Sequence, residues 1–292
     1  MVTSAPESTG AIEVDADDAL LHCQVAGDGP LVICAHGFPD CARSFRGQLP
    51  ALIAAGFRVA LVTMRGYAPS TRSRRDRYDV ASLGRDLMAV ADTLSPHRRV
   101  ALVGHDWGAI ASYAASAARP ERIAALATLA VPHWRALGPR FVRAAQLFRS
   151  RYIAELQLPG AAERVRAGNF AFIDRLWRAW SPGFHCPPEE MAQIKAGLDP
   201  ALDAVIGYYR GLRPAGLWAA RRLLLAPTRV PGLYLHGADD GCIGAELATG
   251  LRAAYLGEFH GEVLDGAGHF LHLEVPDRVN AVLLPFLARH LR

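Results

Sequence analysis

Residues 103–108 read Val-Gly-His-Asp-Trp-Gly. An apolar run, Arg99–Val103, leads in, and a segment with helical spacing leads out. Gly104 and Gly108 around a central Asp106 give the small-x-nucleophile-x-small form of a nucleophile elbow. Such a turn is strained and lifts its central side chain clear of a sheet edge. A carboxylate held there can attack an electrophilic carbon and form an ester that water later cleaves. The helix beginning near Trp107 would aim its N-terminus at the site, which favours an anion. A plain helix cap would also explain Asp106. Three further motifs weigh against that simpler reading.

The first is Cys34-Ala35-His36-Gly37-Phe38-Pro39-Asp40, directly after the third apolar run. In an elbow architecture this loop supplies one backbone donor for a developing oxyanion, and the residue after the nucleophile supplies the other. The expected donors are the N–H groups of Phe38 and Trp107. Phe38-Pro39 is also a candidate cis peptide bond. The second is Leu235-His236-Gly237-Ala238-Asp239-Asp240-Gly241, and the third is Gly266-Ala267-Gly268-His269-Phe270. Nucleophile, acid and histidine then occur in the chain order Asp106, Asp240, His269. Among the histidines, His269 sits on a glycine-rich loop after the last apolar run, with His272 as its rival. Asp240 is preferred to Asp239 on motif spacing, although an Asp-Asp-Gly turn would use the same residues.

These motifs need a sheet to carry them. Short runs at Ala11–Val14 and Leu20–Val25 suit antiparallel strands. Leu31–Ala35, Arg58–Val62, Val100–Val103, Ile123–Val131, Gly232–Leu235 and Glu262–Leu264 suit strands of a mostly parallel sheet. Between them Asp40–Ala55, Val80–Leu94, Trp107–Ala118, Ile243–Leu256 and Pro276–Arg292 carry apolar residues at helix spacing. Strand alternating with helix predicts an α/β, doubly wound fold. From Pro132 to Ala215 no strand is predicted. That stretch is helical in pattern and rich in aromatics, among them Trp134, Phe141, Phe148, Tyr152, Trp177, Trp180, Tyr208 and Tyr209. It reads as a helical lid over 132–215, inserted after the sixth strand into a core of 1–131 and 216–292. Most of its aromatics are expected to be the lid's own packing.

Composition excludes several classes. At 51% hydrophobic and 21% charged residues the chain can fill a large core and is not disordered. The net charge is +4, and Lys195 is the sole lysine among 32 basic residues. The densest basic run, Arg72 to Arg77, is too short for a nucleic-acid stripe. The apolar run Ile123–Pro132 is far below the length of a membrane helix. The first 18 residues lack the basic and apolar regions of a signal peptide. Five cysteines with no CxxC pair argue against a disulfide framework or zinc site. A cytoplasmic protein is expected, a monomer or homodimer, with no metal, cofactor, membrane or nucleic-acid partner.

With His36-Gly37-Phe38-Pro39, His105-Asp106-Trp107-Gly108, Asp240 and His269 in place, the chain resembles the epoxide hydrolase group of the α/β-hydrolases. This Asp-nucleophile branch also contains the haloalkane dehalogenases. The resemblance runs from about Ala11 to Arg292. It implies a mostly parallel eight-stranded sheet flanked by helices, with the cap after the sixth strand. It also implies attack by Asp106 on a substrate carbon and hydrolysis of the resulting ester by water activated at His269, which Asp240 orients. The group carries two cap tyrosines that hold the epoxide oxygen. One precedes an Arg, and Tyr208-Tyr209-Arg210 matches with Tyr209, though Tyr208 is an alternative. The other matches Tyr152, ahead of Leu158-Pro159-Gly160. Some members place the acid after the sixth strand, where this chain has Val131-Pro132-His133-Trp134 and no carboxylate.

The expected substrate is a small apolar epoxide, with water as co-substrate and Phe38, Trp107, Trp134, Trp177 and Phe270 against it. A haloalkane dehalogenase would use the same Asp106, His269 and Asp240, but many place Asn where Phe38 stands and give the tyrosines no work. A non-catalytic ligand-binding member would be expected to lack part of the triad.

Overall fold

The computed structural model describes residues 10–137 and 143–291. Phe141, one of the predicted lid aromatics, and Arg292, the end of the last predicted helix, lie outside the described residues. Eight strands form one sheet: β1 (Gly10–Asp15), β2 (Leu20–Ala26), β3 (Leu31–Ala35), β4 (Arg58–Val62), β5 (Val100–His105), β6 (Ile123–Leu129), β7 (Gly232–Gly237) and β8 (Phe259–Leu264). Their order is β1-β2-β4-β3-β5-β6-β7-β8. β2 pairs antiparallel with both β1 and β4, and the remaining pairs are parallel. β3, β5, β6 and β7 are buried at every residue, because helices cover both faces.

On the core pack α1 (Leu49–Ala54), α2 (Val80–Leu94) and α3 (Trp107–Ala118), and near the C-terminus α11 (Leu271–Glu274) and α12 (Pro276–His290). Asp79 starts α2 by accepting a hydrogen bond from the Ser82 N–H at 3.0 Å. Between β6 and β7 the described elements are all helical. They are α4 (Trp134–Leu137), α5 (Ala144–Arg149), α6 (Arg151–Gln157), α7 (Ala161–Trp180), α8 (Pro188–Leu198), α9 (Leu202–Arg210) and α10 (Pro214–Leu225). The boundary expected at 215/216 falls inside α10, a single helix. Among the described residues no helix is long and apolar enough to cross a membrane.

Two predicted helices are not formed as expected. Asp40–Ala55 is a 3₁₀ segment, Ala42–Gly47, followed by α1. Pro50 explains the break, since it lacks an N–H and its ring clashes with the preceding turn, so the helix restarts with proline in its first turn. Ile243–Leu256 is two 3₁₀ turns, Ala245–Ala248 and Leu251–Ala254, separated by Gly250 at φ +79°. The helical spacing there comes from side chains packed against the sheet edge, while the left-handed glycine prevents one continuous helix. β6 stops at Leu129 instead of Val131, because Ala130 takes φ +66° and turns the chain.

The strand order reverses direction between β3 and β5, with β4 on one side and β6 on the other. Ala35, at the end of β3, pairs with Gly104, near the end of β5. The loops leaving these two strands therefore diverge above a crevice, where ligands bind in open α/β sheets.

Candidate active site

Asp106 sits in that crevice. Its backbone has φ +51° and ψ −116°, a conformation that side-chain-bearing residues adopt only when the surroundings impose it. The close approach of the elbow to β3 imposes it here: a Cβ on Gly108 would run into the carbonyl of Ala35, and one on Gly104 into the backbone of Gly108. Asp106 Oδ1 accepts a hydrogen bond from the Phe38 N–H at 2.8 Å. Trp107 is the first residue of α3, so its N–H has no acceptor within the helix and lies beside Asp106. Of the two expected backbone donors, the Phe38 N–H meets the carboxylate, and the Trp107 N–H is the next amide along the chain. Phe38-Pro39 is cis, as is Ala68-Pro69.

The neighbouring His36 holds the first loop in shape. Its Nδ1–H donates to the Gly37 carbonyl at 3.0 Å, and its Nε2 accepts from the Met64 N–H at 3.1 Å. Burial lowers its pKa to about 4, so the ring stays neutral.

His269 is fully buried, and its Nδ1 lies 2.9 Å from Asp240 Oδ2. Asp240 Oδ1 accepts from the N–H groups of Cys242 and Ile243 at 2.7 and 2.9 Å. Burial opposes ionisation of Asp240, but His269 and these donors hold its pKa below the usual carboxylate range. His269 Nε2 lies 3.7 Å from Asp106 Oδ2. Burial alone would keep His269 neutral, yet the charges of Asp240 and Asp106 raise its pKa to about 10. Asp239 is exposed and is not part of this cluster. His272 is buried against His105 and Phe45, with ring centroids 4.4 and 5.1 Å away, and neither ring nitrogen has a hydrogen-bond partner.

Tyr152 on α6 and Tyr209 on α9 come down over Asp106 from the inserted helices. Their ring centroids are 5.7 Å apart. The Tyr209 ring meets Phe38 and Trp107 edge-on at 5.3 and 5.2 Å, and its hydroxyl is buried without a hydrogen-bond partner. Burial, followed by the Asp106 charge, raises its pKa well above 10. Tyr208 turns the other way and donates to the Arg65 carbonyl at 2.6 Å. Of the adjacent pair, Tyr209 is the residue facing the site.

A cavity of about 270 Å³ joins these groups. Asp106, Tyr152 and Tyr209 face it, and Trp107, Ile110, Trp134, Leu137, Ile153 and Leu212 supply much of its apolar wall. Phe38, expected against the substrate, is not among the cavity-lining residues: its N–H bonds to Asp106 and its ring meets Tyr209 edge-on. Trp177 and Phe270 do not line the cavity, contrary to expectation. They stack on each other at 3.7 Å and 11°, and Phe270 packs edge-on against His269. These two aromatics back the histidine instead: Phe270 packs on His269, and Trp177, on the last turn of α7, stacks on Phe270.

Several residues that sequence reasoning missed hold this geometry. The Trp180 carbonyl, at the end of α7, accepts from the N–H groups of both Gly241 and His269. The Trp180 ring meets Tyr152 and His269 edge-on, each at 5.0 Å. His105 Nε2–H donates to the His269 carbonyl at 2.9 Å. Glu274 accepts from Ser181 Oγ and from the Gly268 N–H. These contacts join segments far apart in the chain, and no local motif announces them.

A family model described as the α/β hydrolase fold matches residues 30–276. The chain is 33% identical to epoxide hydrolase A of Mycobacterium tuberculosis, over 94% of this chain and 96% of that one. It is 27% identical to the AB hydrolase superfamily protein YfhM of Bacillus subtilis, over 94% and 96%. Among solved structures, epoxide hydrolase A of Mycobacterium thermoresistibile superimposes with a TM-score of 0.83 at 28% identity, covering 96% of this chain and 98% of that one. An epoxide hydrolase from an endophytic Streptomyces does so with a TM-score of 0.77 at 26% identity, over 97% and 96%. The chain belongs to the α/β hydrolase fold family, within its epoxide hydrolase group.

Proposed function

We propose that the protein hydrolyses a compact apolar epoxide to a vicinal diol through an ester on Asp106. The observation that carries this reading is the placement of a carboxylate and two phenols across one small apolar cavity. An epoxide opens when a nucleophile attacks carbon while a donor meets the departing oxygen. Asp106 Oδ2 is free of the Phe38 hydrogen bond and is available to attack. Tyr152 and Tyr209, both held protonated by burial, face the same space and donate to the alkoxide.

The proton balance follows from His269. While Asp106 is charged, His269 lies between two carboxylates and is an imidazolium at neutral pH. Forming the ester removes the Asp106 charge, so the ring loses one of the groups that kept it protonated. Its proton replaces the one that the phenols pass to the alkoxide. The neutral Nε2 then takes a proton from water, which attacks the ester carbonyl. The oxyanion forms beside the N–H groups of Phe38 and Trp107, where fixed donors are most effective. Collapse returns Asp106 as carboxylate, His269 as imidazolium and the diol. No cofactor or metal enters this sequence.

The test pairs diol formation from styrene-oxide-like epoxides with halide release from haloalkanes. The reading expects the first and not the second, since two buried phenols have no task in displacing a halide. Halide release without diol formation would overturn it. A single turnover in ¹⁸O-labelled water should place the label in the peptide containing Asp106.

A further inference from the structure

The contact of Tyr152 with Cys242 has no place in the scheme above. Tyr152 Oη lies 3.6 Å from Cys242 Sγ, within hydrogen-bonding range for sulfur, and either atom can donate. Cys242 is buried, two residues after the acid that orients His269. Its backbone is clamped on both sides. Its N–H donates to Asp240 Oδ1 at 2.7 Å, and its carbonyl accepts from Gln146 Nε2 at 2.9 Å. The Gln146 side-chain oxygen in turn accepts from the Gly244 N–H at 3.0 Å, so one buried side chain of α5 fixes both ends of the loop. The thiol therefore stands at a position set by the triad and presents itself to the phenol of the inserted helices.

We propose that Cys242 is a positioning residue for Tyr152, whose thiol directs the phenolic hydrogen into the cavity and donates its S–H to the phenolate formed when the epoxide opens. This rests on the epoxide-opening reading. With S–H donating to Oη, the phenolic hydrogen is left free for the substrate oxygen. As the epoxide C–O bond breaks and the Asp106 O–C bond forms, the Tyr152 O–H proton passes to the alkoxide. The thiol keeps its own proton and faces the new negative charge.

Two properties suit a thiol to this place. An S–H is a weak donor to a neutral phenol and a better one to an anion, so its effect is larger in the transition state than before it. A thiol beside an electrophile must also resist alkylation, and the reactive species is the thiolate. Burial, reinforced by Asp240 and Asp106, keeps Cys242 protonated well above its ordinary range.

The experiment measures alkylation and ester hydrolysis separately, by single-turnover kinetics with styrene oxide, in Cys242→Ala, Cys242→Val and Cys242→Ser. Ala and Val should slow alkylation about 5-fold, the size of one weak hydrogen bond, and leave hydrolysis within about 2-fold. Ser should restore alkylation to near the wild-type rate. Adding Cys242→Val to Tyr152→Phe should cost nothing further, since the partner is already gone. Wild-type alkylation in both Ala and Val, a Ser variant as slow as Val, or additive losses in the double variant would each overturn the role of Cys242 alone. A wild type that forms no alkyl-enzyme with any epoxide overturns the epoxide reading and this proposal with it.

Discussion

His269 Nε2 stands 3.7 Å from Asp106 Oδ2, too far for a good hydrogen bond and close enough for each charge to stabilise the other. The same ring is tied by its other nitrogen to Asp240 at 2.9 Å. In the proposed scheme an imidazole so placed is charged beside Asp106 and released to act as base once Asp106 is esterified.

The first prediction concerns stability and pH. His269 has a folded-state pKa raised from 6.5 to about 10. A raised pKa contributes stability that is fully present below the unfolded value and is lost as pH climbs through the folded one. The excess thermal stability of the wild type over His269→Gln should therefore shrink between about pH 6.5 and pH 10. Differential scanning calorimetry of both proteins across that range checks it, and a constant difference would contradict the charged ring.

Asp106→Ala should abolish turnover, by about 10⁴-fold or more, the scale of losing one member of a catalytic unit. The fold should survive, because Asp106 lies at a turn with its side chain in a cavity rather than in the packed core. Circular dichroism confirms the fold, and diol formation on the same sample reads the loss. Activity in a pure, folded variant would remove Asp106 as nucleophile.

His269→Gln separates the two halves of the reaction. In the proposed scheme attack by Asp106 needs no neutral base, whereas ester hydrolysis does. The variant should accept substrate, accumulate an adduct on Asp106, and fail to release diol. Intact-protein mass spectrometry after mixing with excess epoxide detects the added mass. A variant that turns over without an adduct would count against the two-step scheme.

On the proposed reading, Tyr152→Phe and Tyr209→Phe each remove one donor aimed at the developing alkoxide. Each should slow alkylation by roughly 10²–10³-fold, by analogy with losing an oxyanion-hole donor. The double variant should nearly stop it. Rapid-mixing measurement of the alkylation phase provides the test, and a double variant that alkylates at the wild-type rate would make both tyrosines structural.

Much of this was legible in residue order. An apolar run ending in a glycine-flanked polar residue marks where a buried strand meets a loop, and four such junctions carry His36, Asp106, Asp240 and His269. Strands buried on both faces announce themselves by unbroken apolar character, so β3 to β7 were readable, whereas β8 begins three residues earlier than its apolar end suggests because it is a half-exposed edge.

The tertiary structure decided what local pattern does not encode. Asp239 and Asp240 are neighbours of one type, and only folding exposes one and buries the other beside His269. Tyr208 and Tyr209 differ by about 100° around a helix, so the docking of α9 selects which phenol meets Asp106. Trp177 and Phe270 have the composition of a pocket wall, but the placement of α7 stacks them behind the histidine. Cys242, Trp180 and Glu274 carry no motif at all, since their partners come from segments that meet only when the inserted helices close on the sheet. Residue type and local spacing are properties of a few consecutive positions, whereas orientation toward a shared cavity depends on how distant elements pack, and that packing is what the folded chain supplies.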